Sequence, residues 1–184
     1  VIVHLTHTHA GPGICAEDAD KPGGHLVPAY LERLRTVSVG LAQQAIANAQ
    51  PGRLDWSYGK CDLARNRDLP DPSADRVICG FNPDEKADDT LLIGRASAAN
   101  GTIIATLVNY ACHPVTLAWQ NSLISPDFVG AMREMIESHT QAPCLFLQGA
   151  SGELAPREHY TGDVAIADRN GRVLALAALA TLEH

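Results

Sequence analysis

The sequence predicts an α/β fold: a mixed β-sheet containing a β-hairpin, with helices packed on the sheet. Three observations carry this. Short apolar runs alternate with longer stretches of helical period. Two β-rich runs, residues 90–95 and 102–110, are joined through Asn100-Gly101, a strong antiparallel turn signal. Polar, glycine-containing loops follow several of the apolar runs, where α/β proteins usually place their sites. A hairpin inside an alternating pattern makes the sheet mixed.

The elements follow in order. Val1-Ile2-Val3-His4-Leu5 reads as a strand running into Thr6-His7-Thr8-His9-Ala10-Gly11-Pro12-Gly13. Strand alternation would put His7 and His9 on one face, with Val1, Val3 and Leu5 behind them, and the Gly-Pro-Gly would end the strand. Residues 14–27 are a polar loop, in which Asp18, Asp20 and Lys21 are solvated charges. A helix is expected over residues 28–48, with Pro28 in its first turn and Leu31, Leu34, Val37, Leu41 and Ile46 as its apolar stripe. Leu54, Trp56 and Tyr58 alternate with polar residues and predict a half-buried strand reaching about residue 63. Residues 64–88, rich in Asp, Pro and Asn, read mainly as loop around a short apolar run at 77–79. After the hairpin, Ser125-Pro126-Asp127 opens a helix: Ser can cap it, Pro suits the first turn, and Asp favours the positive end of the dipole. Met132, Met135 and Ile136 carry that helix to about residue 138. Residues 144–147 are a short buried strand, and 164–182 an alanine-rich last helix. The chain starts inside a strand-like run and stops inside a helical pattern, so residues 1–184 are expected to be part of a larger domain. Leu182-Glu183-His184 is either natural sequence or the start of a cloning tag.

Composition narrows the class. Hydrophobic residues at 46% against 19% charged describe a globular protein with a real core and argue against disorder. A net charge of −7, with 14 scattered basic residues, argues against nucleic acid and anionic membrane surfaces as partners. No apolar run approaches the ~20 residues needed to span a bilayer, and no basic-then-apolar leader opens this segment. The cysteines Cys15, Cys61, Cys79, Cys112 and Cys144 are odd in number and lack a CxxC pair. Buried free thiols in a reducing compartment, with a cytoplasmic location, are the expectation, although one bridge is compatible with the spacing.

Four segments can carry chemistry: the His7/His9 run, Asn66-Arg67-Asp68, Asn109-Tyr110-Ala111-Cys112-His113-Pro114, and Gln148-Gly149-Ala150-Ser151-Gly152-Glu153. The proline after His113 biases its backbone to extended geometry and points the imidazole off the sheet. His7 and His113 are far apart in sequence, as catalytic metal ligands from different strands often are. A solvated histidine is the plain alternative at each position. Cys112 as nucleophile is disfavoured because adjacent strand residues face opposite ways, denying it His113 as base. Ser151 matches a nucleophile elbow only loosely, since Glu153 stands where G-x-S-x-G needs glycine. The glycines around Ser151 better suit an anion or oxyanion pocket. Arg67 is either a substrate-orienting guanidinium or a loop arginine paired with Asp68.

These segments, in this order, resemble the catalytic domain of the neutral/alkaline (non-lysosomal) ceramidases. The stretches that carry the likeness are Thr6–Gly13 (THTHAGPG), Asn66-Arg67, Asn109–Pro114 (NYACHP), Leu123–Asp127 with Gly130, and Gln148–Pro156 (QGASGELAP). They cover most of residues 1–157, the first and third being the specific ones. The resemblance implies a zinc-dependent amidase with His7 and His113 as two Zn2+ ligands. It further implies that His9 contacts substrate and assists proton transfer, and that Arg67 lines the same pocket. The family completes its zinc shell with a glutamate and a tyrosine from much further along. Where the family has Ser-Pro-Asn, this chain has Ala155-Pro156-Arg157, which leaves the family's serine without a counterpart.

The resulting expectation is a ceramidase-like zinc hydrolase acting on a small-molecule or lipid-like N-acyl substrate. Gly149, Ser151 and Gly152 would bind that substrate, with His9 and Arg67 serving catalysis. The alternative is a non-catalytic binding domain that retains the fold without the full metal site. A cysteine hydrolase using Cys112 or Cys144 is a third possibility, marked by sensitivity to alkylation.

Overall fold

The hairpin foreseen around Asn100-Gly101 is the centre of the sheet. The structure, a computed structural model, describes residues 2–183; Val1 and His184, invoked above for the first strand and the chain end, lie outside them. Strands β1 (Gly52–Lys60), β5 (Thr90–Ala98), β6 (Ile103–Tyr110) and β7 (Cys144–Gln148) form a sheet in the order β1-β5-β6-β7. The first three are antiparallel neighbours, and β7 joins β6 in parallel, so the sheet is mixed. The β6–β7 crossover carries helix α2 (Phe128–Thr140), and helix α3 (Val164–Leu182) follows as the pattern predicted.

Both helices cover one sheet face. Leu91 and Ile93 of β5, Val108 and Tyr110 of β6, and Cys144 and Phe146 of β7 meet Phe128, Met132 and Ile136 of α2 and Leu174, Ala175 and Ala178 of α3. Removal of these apolar side chains from water drives the layer pairing. Gly171 lets α3 pack closely on α2, since a Cβ there would sit 2.3 Å from the Phe128 carbonyl oxygen. Tyr110 fastens the site end of β6: its hydroxyl donates to the Cys61 carbonyl at 2.8 Å and accepts from the Ala64 amide at 2.9 Å.

Four expectations need correction. Residues 2–8 form no strand; His7 has φ 67°, which breaks the extended alternation that strand geometry requires, and Ile2, Val3 and Leu5 are exposed. In β1, Leu54, Trp56 and Tyr58 lie on the face away from α3, and small residues lie beneath that helix. Gly59 packs so tightly against Thr181 that a Cβ would approach its Oγ1 to 2.0 Å. Residues 64–88 are mostly loop and turn as expected, but they also contain three short strands where one apolar run was foreseen. β2 (Ala64–Asn66) pairs antiparallel with β8 (Leu154–Pro156), and β3 (Asp68–Asp71) pairs antiparallel with β4 (Arg76–Cys79). These ladders rest on backbone pairing of Asp-, Pro- and Arg-containing segments, whose side chains give little strand signal. Finally, Asp127, rather than Ser125, caps α2, its carboxylate accepting from the Phe128 amide at 2.7 Å.

The elements above belong to a unit made of Leu5–Ala10 and the chain from Gly52 onward. A smaller unit, the residues up to His4 and Gly11–Pro51, contains two 3-10 turns (Ala16–Asp20 and Gly24–Leu26) and helix α1 (Val27–Ala47). Pro28 sits in the first turn of α1 as foreseen, but only Val27 of that helix is buried. The expected stripe is half-buried at Leu31 and Leu34 and exposed at Val37, Leu41 and Ile46, because the unit offers only the short turns near the helix start as cover. Among the described residues, no helix is long and apolar enough to cross a membrane.

Candidate metal centre

The NYACHP run leaves β6 at Tyr110 and delivers His113 to the rim of the sheet. There the His113 amide bonds the Leu154 carbonyl of β8 at 3.0 Å. Its ring is buried, and its Nδ1 lies 2.5 Å from the Ser151 carbonyl oxygen. A carbonyl only accepts, so Nδ1 carries the proton and donates, which leaves the lone pair on Nε2. That Nε2 faces His7 Nε2 at 3.0 Å.

His7 and His9 arrive from a segment that is tied to loops rather than to the sheet. The His9 amide donates to the Pro114 carbonyl at 3.2 Å, Thr8 Oγ1 donates to the Ser125 carbonyl at 2.8 Å, and the Ser125 amide donates to the Ala10 carbonyl at 2.9 Å. With His7 in a left-handed conformation, the two imidazoles converge without a shared strand face. The ring centroids of His7, His9 and His113 form a triangle with sides of 5.2, 4.7 and 5.4 Å, and one donor nitrogen from each lies within 4.8 Å of the others.

The electrostatics favour neutral rings at His9 and His113. Burial, first of all, lowers the pKa of His113, and the charges of Arg67, His7 and His9 act the same way against the opposing pull of the Ser151 carbonyl. His9 is lowered by burial, then by His7 and Arg67, with Asp127 opposing. Neutral imidazoles present lone pairs, the form in which histidine binds metals. Two nitrogens held ~2.05 Å from a tetrahedral zinc ion stand about 3.3 Å apart, so the 3.0 Å separation of His7 and His113 suits such an ion with little movement. A backbone carbonyl on the far nitrogen of His113 is the partner that metal-ligating histidines usually have. On donor type, protonation and spacing, the residues fit a borderline divalent cation.

Arg67 follows β2 directly and is held beside this triangle. Its Nε and Nη2 donate to the Gly152 carbonyl at 3.0 and 2.7 Å, and its Nη1 donates to the Tyr160 hydroxyl at 3.1 Å. The pairing with Asp68 considered from sequence is not formed. Consecutive carbonyls of one loop thus hold two site residues, Ser151 holding His113 and Gly152 holding Arg67. The third residue of that expected set, Gly149, uses its amide on the Tyr110 carbonyl at 3.0 Å. Ser151 is buried, with Oγ accepting from Gln148 Nε2 at 2.5 Å. Ala155 is fully buried in β8 and brings no hydroxyl to the site.

The thiols are poorly suited to nucleophilic work. Cys112 is fully buried and its pKa is pushed well up, chiefly by burial; burial also raises Cys144. Tyr160 is the residue that sequence reasoning missed. It has φ 55°, its ring stacks on Trp119 at 5.2 Å, and its hydroxyl is 3.0 Å from the Cys79 sulfur. The Tyr160 amide reaches the site through a bond to the Val115 carbonyl at 2.9 Å, a long-range link with no local pattern to betray it.

The chain resembles solved ceramidase structures. It aligns with the crystal structure of neutral ceramidase from Pseudomonas aeruginosa at TM-score 0.68 and 21% identity, covering 97% of this chain and 30% of that one. A structure described as ceramidase complexed with C2 aligns at TM-score 0.70 and 21% identity, with the same coverage. No protein-family model matches the chain, and no curated protein does. At this identity the likeness establishes the fold, and the chain spans under a third of the length of the structures it matches.

Proposed function

We propose that residues 1–184 form part of one ceramidase-like catalytic domain, a zinc-dependent hydrolase that cleaves the N-acyl bond of a small-molecule or lipid-like amide. The observation that supports this most is the approach of His7 Nε2 to His113 Nε2 at 3.0 Å across 106 positions of sequence, with His9 completing the triangle. The ceramidase fold supports the choice of amide hydrolysis. His7 and His113 would hold the ion, which supplies Lewis acidity to polarise a carbonyl and acidify water.

In the reaction, the oxygen of water adds to the acyl carbon and the C–N bond breaks. Its electron pair goes to nitrogen, which takes a proton and leaves as the amine. His9, neutral and within reach of the same point, carries that proton, a role worth ~100- to 10,000-fold in rate. Arg67 faces the negative charge that develops on the acyl oxygen or resides on the substrate, and the loop of Gly149, Ser151 and Gly152 lines the pocket and fixes both Arg67 and His113. A hydrolysis that runs on water needs no serine at Ala155.

Zinc content of the full-length gene product tests the reading. The wild type should carry about one equivalent, and His7→Ala and His113→Ala should each lose most of it while remaining folded by circular dichroism. Activity on N-acyl amides should vanish with a chelator and return with Zn2+. Full zinc retention in both variants sinks the assignment, and a folded, inert, metal-free wild type identifies a binding domain that kept the fold alone.

A further inference from the structure

Arg67 carries a charge that no carboxylate among the described residues pairs with. Among the described residues, none of its ion-pairing options is taken: its three hydrogen bonds go to the uncharged Gly152 carbonyl and Tyr160 hydroxyl. Most other arginines of the chain, namely Arg35, Arg53, Arg65, Arg76, Arg133 and Arg169, have a carboxylate within 4.0 Å. Unlike most of those, Arg67 is half-buried, and its charge reaches both His9 and His113. A half-buried guanidinium beside three cation-binding imidazoles is electrostatically unfavourable in isolation. It becomes favourable when an anion joins it.

The guanidinium keeps donors for one. A guanidinium has five N–H donors; with Nε, one Nη2 hydrogen and one Nη1 hydrogen engaged, each terminal nitrogen keeps one. Two such donors suit the two oxygens of a carboxylate, which Arg binds more tightly than it binds neutral acceptors. Tyr160 holds this arrangement at a backbone angle, φ 55°, that a bulky side chain seldom adopts, and strain of that kind persists where surroundings enforce it. Its ring, stacked on the exposed ring of Trp119, adds an aromatic wall next to the guanidinium.

We propose that Arg67, steadied by Tyr160 and the Gly152 carbonyl, is the subsite for a carboxylate on the substrate, so that the amides taken by this site are N-acyl amino acids rather than uncharged lipid amides. This rests on the amidase reading above and narrows its substrate class. Tyr160 is a positioning residue, acting through Arg67.

A matched pair of probes separates the two ideas. N-octanoylglycine and its methyl ester differ in one charge, and the amine each releases can be counted with an amine-reactive fluorophore. With zinc-loaded full-length protein, kcat/KM should favour the acid by about 10- to 100-fold, the range of one lost charge-assisted grip, mainly through KM. Arg67→Gln should bring the acid-to-ester ratio close to 1, Arg67→Lys should restore part of it, and Tyr160→Phe, which keeps the aromatic stack, should lower it several-fold. Equal kcat/KM for acid and ester in the wild type overturns the carboxylate subsite while leaving the amidase intact. If neither probe is hydrolysed, the amidase reading falls. Calorimetry then decides the subsite: tighter binding of acid than ester, abolished by Arg67→Gln, upholds it, and no such preference overturns it.

Discussion

Asp127 offers the sharpest test of how the loop beside the histidine cluster is held. Its side chain is buried, with Oδ2 accepting from the Leu117 amide at 2.9 Å and Oδ1 from the Phe128 amide at 2.7 Å. Both donors belong to residues that are 1% and 0% exposed, so neither amide can turn to water when the carboxylate is removed. Hydrogen bonds to a charged group contribute ~1.5–3 kcal/mol each, which sets the loss in Asp127→Ala at about 3–5 kcal/mol after some relaxation. The backbone adds a second consequence. Asp127 lies at φ 57°, ψ −150°, a region open essentially to glycine alone, and strain there is about 1–3 kcal/mol. Asp127→Gly loses the same two bonds but relieves the strain, at an entropic cost of ~0.5–1 kcal/mol in the unfolded chain. It should therefore be about 1 kcal/mol more stable than Asp127→Ala. Urea unfolding followed by circular dichroism measures both, read as midpoint shifts at constant slope. A cost below ~1 kcal/mol for alanine, or a glycine variant weaker than the alanine one, refutes the reasoning.

Three further outcomes are expected. Gly171→Ala should destabilise by about 1–3 kcal/mol despite alanine's better helix propensity, because the new Cβ meets the Phe128 carbonyl at 2.3 Å; an unchanged melting temperature contradicts the packing described. His9 and His113 hold protons less readily when folded than an ordinary imidazole, so below ~pH 6.5 the unfolded chain binds more protons than the native one. Their contribution to stability is complete above that pH and is lost as pH falls through the lowered native values. In metal-free protein the urea midpoint should accordingly drop between pH 7.5 and 5, less steeply in His113→Gln, and equal slopes would remove the cause. Iodoacetamide should label native protein at the exposed Cys15 and Cys79 and spare Cys112, whose thiol is buried and held protonated. Peptide mapping that finds Cys112 modified before unfolding would reopen a thiol mechanism.

What the sequence made legible follows physical range. The last helix, the hairpin and the strand at Cys144 are local patterns, and their observed bounds lie close to those expected, although that strand is buried only at Cys144 and Phe146. Helix α1 was legible as a helix but not in its burial, since a 3.6-residue stripe says which face is apolar and not what covers it. The first segment misled for a specific reason. An apolar run before two spaced histidines mimics a strand, yet a left-handed residue at His7 lies outside what alternation can report. The pairing of β2 with β8 joins residues 64–66 to 154–156, and no pattern in either segment announces the other. Tyr160 escaped notice for the same reason, since everything it touches except His159 is distant in sequence.

The way His113 and Arg67 are tethered also explains how the histidine cluster can keep its geometry through changes of sequence. Both residues are held chiefly by backbone carbonyls of the 149–153 loop, with Ser151 Oγ a longer side-chain contact of His113 Nδ1 at 3.4 Å, and the His7/His9 segment is tied down by the carbonyls of Pro114 and Ser125. A carbonyl is present whatever the residue, so substitutions along these loops leave the contacts in place provided the backbone path is kept. That path is fixed in turn by the β2–β8 ladder, whose own contacts are main-chain bonds, and by the Tyr110 hydroxyl bridging Cys61 and Ala64. Residue identity is then needed only where chemistry is delivered: at the imidazoles of His7, His9 and His113, at the guanidinium of Arg67, and at the few buried anchors such as Tyr110 and Asp127. At 21% identity to the solved ceramidase structures the fold therefore persists on backbone geometry, which side-chain changes along these loops leave in place.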